Sequence, residues 1–474
     1  MKRIITFLLA LTLAVGLLAC GKTEEPEKTE ETSGLQVGYA KELITPNEPV
    51  PLNGYGNNQN RMHNNTLDHL YVTCVAFKDG DETLLWIAQD LLNTEPATYD
   101  VFDRVALSTG VDRNRVMVCS SHTHSGPDTN MPSHPAISSY LSTVYYPAVI
   151  KAAQNALKDL QPAQLYGAST TLEGMNFVRH YIMNDGTYSG PNFGSSASGY
   201  KSHATENDGE MRLVKIEREG DNKDILIMNW GAHPTMTGGV DKYDLSADYV
   251  GAIRNKIERD AGMHFAFFQA AGGNQVVDSW ITEEKHNMDY VTYGEKLAQI
   301  AMDLMPAMTK IEGEGIETIK VDMEAEVNHD DVEYIAEALQ VNALHKAGQS
   351  RDVCNAKARE LGLSSVYHAN AIVARTSRKD VDILHLDAVR IGGMAFITSQ
   401  YEMFSDHSHY IKDKSPFEMM MISTSSNGDA VYIPTIKAYE YGCYESYVSY
   451  FARGTGEAAA DKYIEMLNTL KEGA

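Results

Sequence analysis

Apolar residues in this chain come in short runs set between longer stretches of helical period, and that alternation predicts an α/β fold. The runs at 84–88, 116–119, 225–228, 264–268 and 394–397 read as buried strands. Helices are predicted at 98–107, 139–158, 249–259, 293–305 and 331–346, where apolar positions recur at helical spacing. Beyond residue 34 no linker, repeat or low-complexity tract interrupts the pattern. One large domain with one or more mixed sheets is therefore expected over 35–474.

Each apolar run ends in polar residues. Gln89 and Asp90 follow the first, and His122 and His124 follow the second. The third runs into Asn229-Trp230-Gly231-Ala232-His233, the fourth into Gln269 and Asn274, and the fifth leads to Glu402. Ligands of open α/β sheets bind beyond the carboxyl ends of the strands, so these residues are candidates for one shared site. Within Ser121-His122-Thr123-His124-Ser125-Gly126-Pro127 the two imidazoles lie two residues apart. An extended backbone would aim both to one side. Taken singly, each residue has a plainer reading: a lone histidine is usually a satisfied structural group, and a lone glutamate a solvated loop residue.

Two histidines and a carboxylate, with one position left for water, form a standard set for catalytic zinc, and such donors also suit manganese or iron. Gly126, Gly231, Gly272 and Gly273 fall in the same strand-end loops, where close backbone approach is expected. The tail carries Tyr432, Tyr439, Tyr441, Tyr444, Tyr447 and Tyr450, whose spacing by itself reads as a packed amphipathic face.

The first residues change the picture of where the protein works. Lys2 and Arg3 precede an apolar stretch from Ile4 to Leu18, and Leu17-Leu18-Ala19-Cys20 resembles a bacterial lipobox. A spanning helix needs about 20 apolar residues, more than are present here. The reading is a lipoprotein signal peptide over 1–20, with Cys20 lipidated, and a solvated tether over 21–34 rich in Glu, Thr, Lys and Pro. That implies export and anchoring to a membrane of the bacterial cell envelope. The formal net charge of −24 argues against a nucleic-acid partner. Besides Cys20 the cysteines are Cys74, Cys119, Cys354 and Cys443. Their spacing matches no thiolate metal motif, and buried free thiols are a plainer reading than two disulfides.

Together these residues resemble the neutral, non-lysosomal ceramidases. The segment at 121–127 resembles that family's HTHSGP motif, and Asn229-Trp230-Gly231-Ala232-His233-Pro234-Thr235 resembles its NW-x-x-x-H-x-T segment with one residue fewer. Gly174-Met175-Asn176-Phe177-Val178-Arg179 is similar to its N-R-S region, the stretch around Glu402 to its P-G-E-F segment, and Tyr432 through Tyr444-Glu445 to its tyrosine-rich tail. The resemblance spans roughly residues 36–450. It implies a zinc-dependent hydrolase of linear amides, acting on an N-acyl lipid such as ceramide. Its implied metal ligands are His122, His233, Glu402 and Tyr432, with His124, Arg179, Tyr441 and Tyr444 contacting the reacting amide.

Two departures matter. Ala271-Gly272-Gly273-Asn274-Gln275-Val276-Val277-Asp278 places Val276 where the family has a catalytic serine, and Ser279 lies three positions further on. The chain also ends at Ala474, without the family's C-terminal immunoglobulin-like domain. Two rival readings compete: a metal- or solute-binding lipoprotein of a transporter, which would have two similar α/β lobes, and a ceramidase relative that does not catalyse.

Overall fold

The computed structural model describes residues 34–474, apart from 56–60, 94–98, 191–197, 240–241, 280–284, 429–430 and 474. The expected signal peptide, Cys20 and all of the tether but Gly34 lie outside the described residues.

Two mixed sheets stack face to face. The larger contains β1 (Gln36–Leu43), β2 (Tyr71–Asp79), β3 (Glu82–Gln89), β4 (Val116–Ser120), β5 (Gln161–Thr171), β6 (Glu210–Arg218), β7 (Ile225–Trp230), β8 (His264–Gln269) and the short β9 (Thr309–Ile311). Its spatial order is β8-β7-β6-β5-β1-β2-β3-β4, with β9 alongside β5. The pairs β3–β4 and β7–β8 are parallel and the others antiparallel. The smaller sheet runs β10 (Ile316–Glu326), β11 (Val381–Ile391), β12 (Met394–Thr398), β13 (Met419–Ser423), with only β12–β13 parallel. All five apolar runs fall inside β3, β4, β7, β8 and β12.

Strand alternation explains why those runs are apolar throughout. Leu84, Trp86 and Ala88 of β3 face the second sheet, whereas Leu85 and Ile87 face helices on the other side. In the inter-sheet core the Trp86 ring is stacked between Phe268 and Phe396, with centroids 3.6 and 3.8 Å away. Helices Tyr146–Lys158, Tyr249–Lys256 and Tyr290–Leu304 cover the outer face of the large sheet. The long helix Thr455–Glu472 covers the small one through Ala459, Tyr463, Met466, Leu467 and Leu470. The result is four layers, helix–sheet–sheet–helix.

The predicted helices are present, with irregularities. The segment 139–158 is a helix Pro135–Tyr140, a π-helical turn Leu141–Tyr145 and a helix Tyr146–Lys158, and the segment 249–259 also ends in a π-turn. Helices Ile335–Lys346, Arg351–Glu360 and Val366–Arg375 form a small core of their own between β10 and β11. Cys74, Cys119, Cys354 and Cys443 are all buried free thiols. No helix among the described residues is long and apolar enough to cross a membrane.

Candidate functional site

Loops beyond β4, β7 and β12 bring His122, His124, His233 and Glu402 together. The chain leaving β4 keeps pairing with the loop beyond β3, through Ser121 N–H to Gln89 O and His122 N–H to Leu91 O. It then turns at His122, whose φ of 69° is left-handed, and His124 N–H bonds Pro234 O. The two rings converge, their centroids 5.0 Å apart, but through this kink and not through the extended alternation expected from sequence. A histidine is among the non-glycine residues that accept such a backbone.

His233 is fixed by a backbone bridge to Val276 and by its N–H to Gln275 O. Glu402–Met403 pairs in parallel with Tyr432–Ile433, which sets Glu402 directly opposite Tyr432. Gly273 donates to Met403 O, and a Cβ there would lie 2.4 Å from Glu402 O, so only glycine permits this approach. Gly54 serves His124 in the same way: its φ is +111° and a Cβ would meet the imidazole at 2.5 Å.

The imidazole protons identify what the cluster lacks. Nδ1 of His122 faces Leu92 O at 2.9 Å and Asn93 Oδ1 at 3.1 Å. Nδ1 of His233 faces Gly272 O at 2.7 Å and Gln275 O at 3.0 Å, and Nδ1 of His124 faces Gly54 O at 3.0 Å. Carbonyl oxygens only accept, which assigns each ring's proton to Nδ1 and leaves a lone pair on each Nε2. Those lone pairs point at one another and at a carboxylate. Glu402 Oε2 lies 3.1 Å from His122 Nε2 and 3.0 Å from His233 Nε2, and His124 Nε2 lies 3.4 Å from His122 Nε2. Although Oε2 is close to both nitrogens, it is buried and makes no hydrogen bond. The lone pairs of His122 and His233 and the orphaned Glu402 oxygen are a donor set that fits a divalent cation, and the His124 lone pair faces the same buried space.

Electrostatics agree with the proton positions. Burial, with His122 and His233 alongside, drives His124 well below the ordinary imidazole range; burial and the Arg179 cation lower His233 as well. Both are neutral and free to act as ligand or base. Burial opposes the Glu402 charge, and its Oε2, set between two neutral rings, has no proton donor there.

Tyr432 and Arg179 complete the wall. The Tyr432 hydroxyl is 3.4 Å from His233 Nε2 and accepts from Arg179 Nη2 at 3.2 Å. Burial and the nearby Glu402 charge keep this phenol well above its ordinary value. Arg179 Nη1 lies 3.4 Å from His233 Nε2, and Arg179 N–H is pinned to Asn274 O. Tyr444 meets Tyr432 edge-on, with ring centroids 5.9 Å apart. Tyr441 stands further back: its hydroxyl bonds His180 Nδ1 at 3.0 Å and its ring stacks on Tyr188.

Not every strand ending joins the site. Gln89 binds Ser120 and Tyr145 within the helix-facing layer, and Asp90 pairs with Arg254 at 2.7 Å. Gln269 and Asn274 act at one remove, the former donating to Ala232 O and the latter bonding Ser405. Val276 sits beside His233 through their backbone bridge. Residues not anticipated from sequence are Asn93 and Ser425, both on His122 Nδ1, Arg61, which holds His124 O at 2.7 Å, and the pair His180 and Glu445 behind Arg179. Asn93 follows β3 as the other candidates follow their strands; Arg61 and His180 carried no signal of that kind.

No protein-family model matches the chain, and no curated protein matches it in sequence. Solved structures do. A ceramidase complexed with C2 superposes with a TM-score of 0.69 at 16% identity, covering 93% of this chain and 76% of that one. The neutral ceramidase from Pseudomonas aeruginosa gives a TM-score of 0.67 at 15% identity, covering 93% and 75%. The chain therefore has a fold similar to that of the neutral ceramidases.

Proposed function

We propose that the protein is a zinc-dependent hydrolase of an amide bond in an N-acylated lipid. The observation that carries this reading is the convergence of three unprotonated Nε2 atoms and an orphaned Glu402 oxygen beside the Arg179 cation. His122, His233, Glu402 and Tyr432 would hold the metal. Such an ion supplies a Lewis acid and lowers the pKa of water toward about 7. The residues do the rest. Neutral His124 accepts a proton from the attacking water through Nε2 and returns it to the leaving amine, while Nδ1–H on Gly54 O fixes the ring. Arg179 and Tyr444 donate to the developing oxyanion.

A water nucleophile needs no serine, so Val276 beside His233 is compatible with hydrolysis. The similarity of fold favours ceramide as substrate; the apolar side chain at that position favours a different N-acyl amide. Incubating the protein with ceramide and with N-acyl amino acids separates the two. Fatty acid released from ceramide makes it a ceramidase, release only from N-acyl amino acids changes the substrate, and release from neither leaves the non-catalytic reading. The two sheets share one continuous core, an architecture unlike the two similar lobes of a solute-binding lipoprotein. Lipidation of Cys20 and membrane anchoring belong to the same proposal, because an anchor would hold the enzyme near lipid substrates. Mass spectrometry of the mature N-terminus tests them.

A further inference from the structure

Behind Arg179 lies a second buried polar cluster that the chemistry above does not use. Glu445 is fully enclosed; its Oε1 accepts from Arg179 Nε at 2.7 Å and lies 2.6 Å from Arg179 Nη2. Its Oε2 lies 2.8 Å from His180 Nε2, and His180 Nδ1 lies 3.0 Å from the Tyr441 hydroxyl. A carboxylate only accepts, so His180 carries its proton on Nε2 and takes one from Tyr441 at Nδ1. Every proton direction is thereby set, from Tyr441 to His180 and from His180 and Arg179 to Glu445.

His180, Cys443 and Glu445 have the residue types and spacing of a metal site, with donor atoms within 4.8 Å of one another. Their hydrogen bonds say otherwise. Both carboxylate oxygens and both ring nitrogens are already engaged by protein groups. The cluster is complete as it stands, and its product is the orientation of Arg179.

A guanidinium is a rigid planar fork. With the Nε and Nη2 edge held by Glu445, Nη1 is turned to His233 and the remaining Nη2 proton to Tyr432. Without Glu445 the described contacts of the fork would be those two, at 3.4 and 3.2 Å, both long for a hydrogen bond. A buried ion pair adds little stability over a well-packed apolar pair of the same volume, so stability alone does not account for it.

We infer that Glu445, held in turn by His180 and Tyr441, is a positioning residue that fixes the Arg179 guanidinium with Nη1 facing the oxyanion of the reacting amide. This rests on the amide-hydrolase reading. Tyr441 acts through His180 and not on the substrate.

The test uses the full-length protein and whichever amide the wild type cleaves fastest. For E445Q the expected result is a fall in kcat of about 100-fold with KM within about threefold, because misplacing a catalytic group by an ångström costs that much. Zinc content stays at the wild-type value. Y441F shows the same signature at about fivefold, through the outer end of the chain. The decisive comparison is E445Q in an R179Q background, where it should change kcat less than about twofold. Effects that multiply in the double variant, or E445Q activity within about twofold of wild type, overturn the inference. If E445Q does not fold, Y441F carries the test, and unchanged kcat there overturns it. If the wild type cleaves no amide, the proposed function fails separately, and a crystal structure of E445Q decides: a displaced guanidinium supports positioning and an unmoved one overturns it.

Discussion

Two buried polar clusters sit side by side in this protein, built from the same residue types, and they differ in where the protons point. Around His122, His124 and His233 each ring proton is turned outward to a carbonyl, leaving lone pairs facing inward with Glu402. Around His180 and Glu445 the protons lie between the acceptors and the cluster is closed. Counting histidines, cysteines and carboxylates marks both as metal sites. Counting hydrogens leaves open lone pairs in the first cluster alone. Residue identity sets which ligands are available, whereas the hydrogen-bond partners of the distal nitrogen set whether they are vacant.

The strongest way to break this comparison is to remove a ligand. H122A and H233A should each weaken zinc binding by more than about 100-fold, exceeding the loss typical of an outer partner. Calorimetry on the metal-free protein measures it. E402Q is sharper because two effects have opposite sign. Its amide can donate to the lone pairs of His122 and His233, so the metal-free variant should be more stable than wild type by about 1 kcal/mol, roughly 2 °C in Tm. If zinc binds only the folded state it should raise the wild-type Tm, and raise that of E402Q far less. Scanning calorimetry with and without zinc reads both. N93A removes one partner of His122 Nδ1 while Leu92 O remains, and should cost about tenfold in zinc affinity. C443A, in the closed cluster, should leave zinc stoichiometry unchanged. Its cost is a helix cap, about 1 kcal/mol by urea denaturation.

Much of this was legible in sequence. Strands such as β3 and β7 are buried on both faces, so each appears as an unbroken apolar run, and polar residues beyond some of these runs mark the site edge. That pattern singles out His122, His233 and Glu402, which the fold brings together. β10 and β11 have no such run, because β10 is mostly half-buried or exposed and the buried half of β11 is broken by Asp387 and Arg390. Gln89 and Asp90 share the strand-end signature yet serve the helix-facing layer, a distinction set by which way a loop turns. The left-handed backbone of His122 depends on pairing with residues 89–91 and 234, contacts that no local pattern encodes. The pairing within the closed cluster has no local signal for a similar reason: Glu445 meets Arg179 across 266 residues of chain.

The most direct test of the central claim is titration of zinc into metal-free protein, with H122A alongside. The account predicts saturable binding of one ion per chain in the wild type and none of comparable affinity in H122A. Undiminished binding by H122A, or no saturable binding by the wild type, would contradict it.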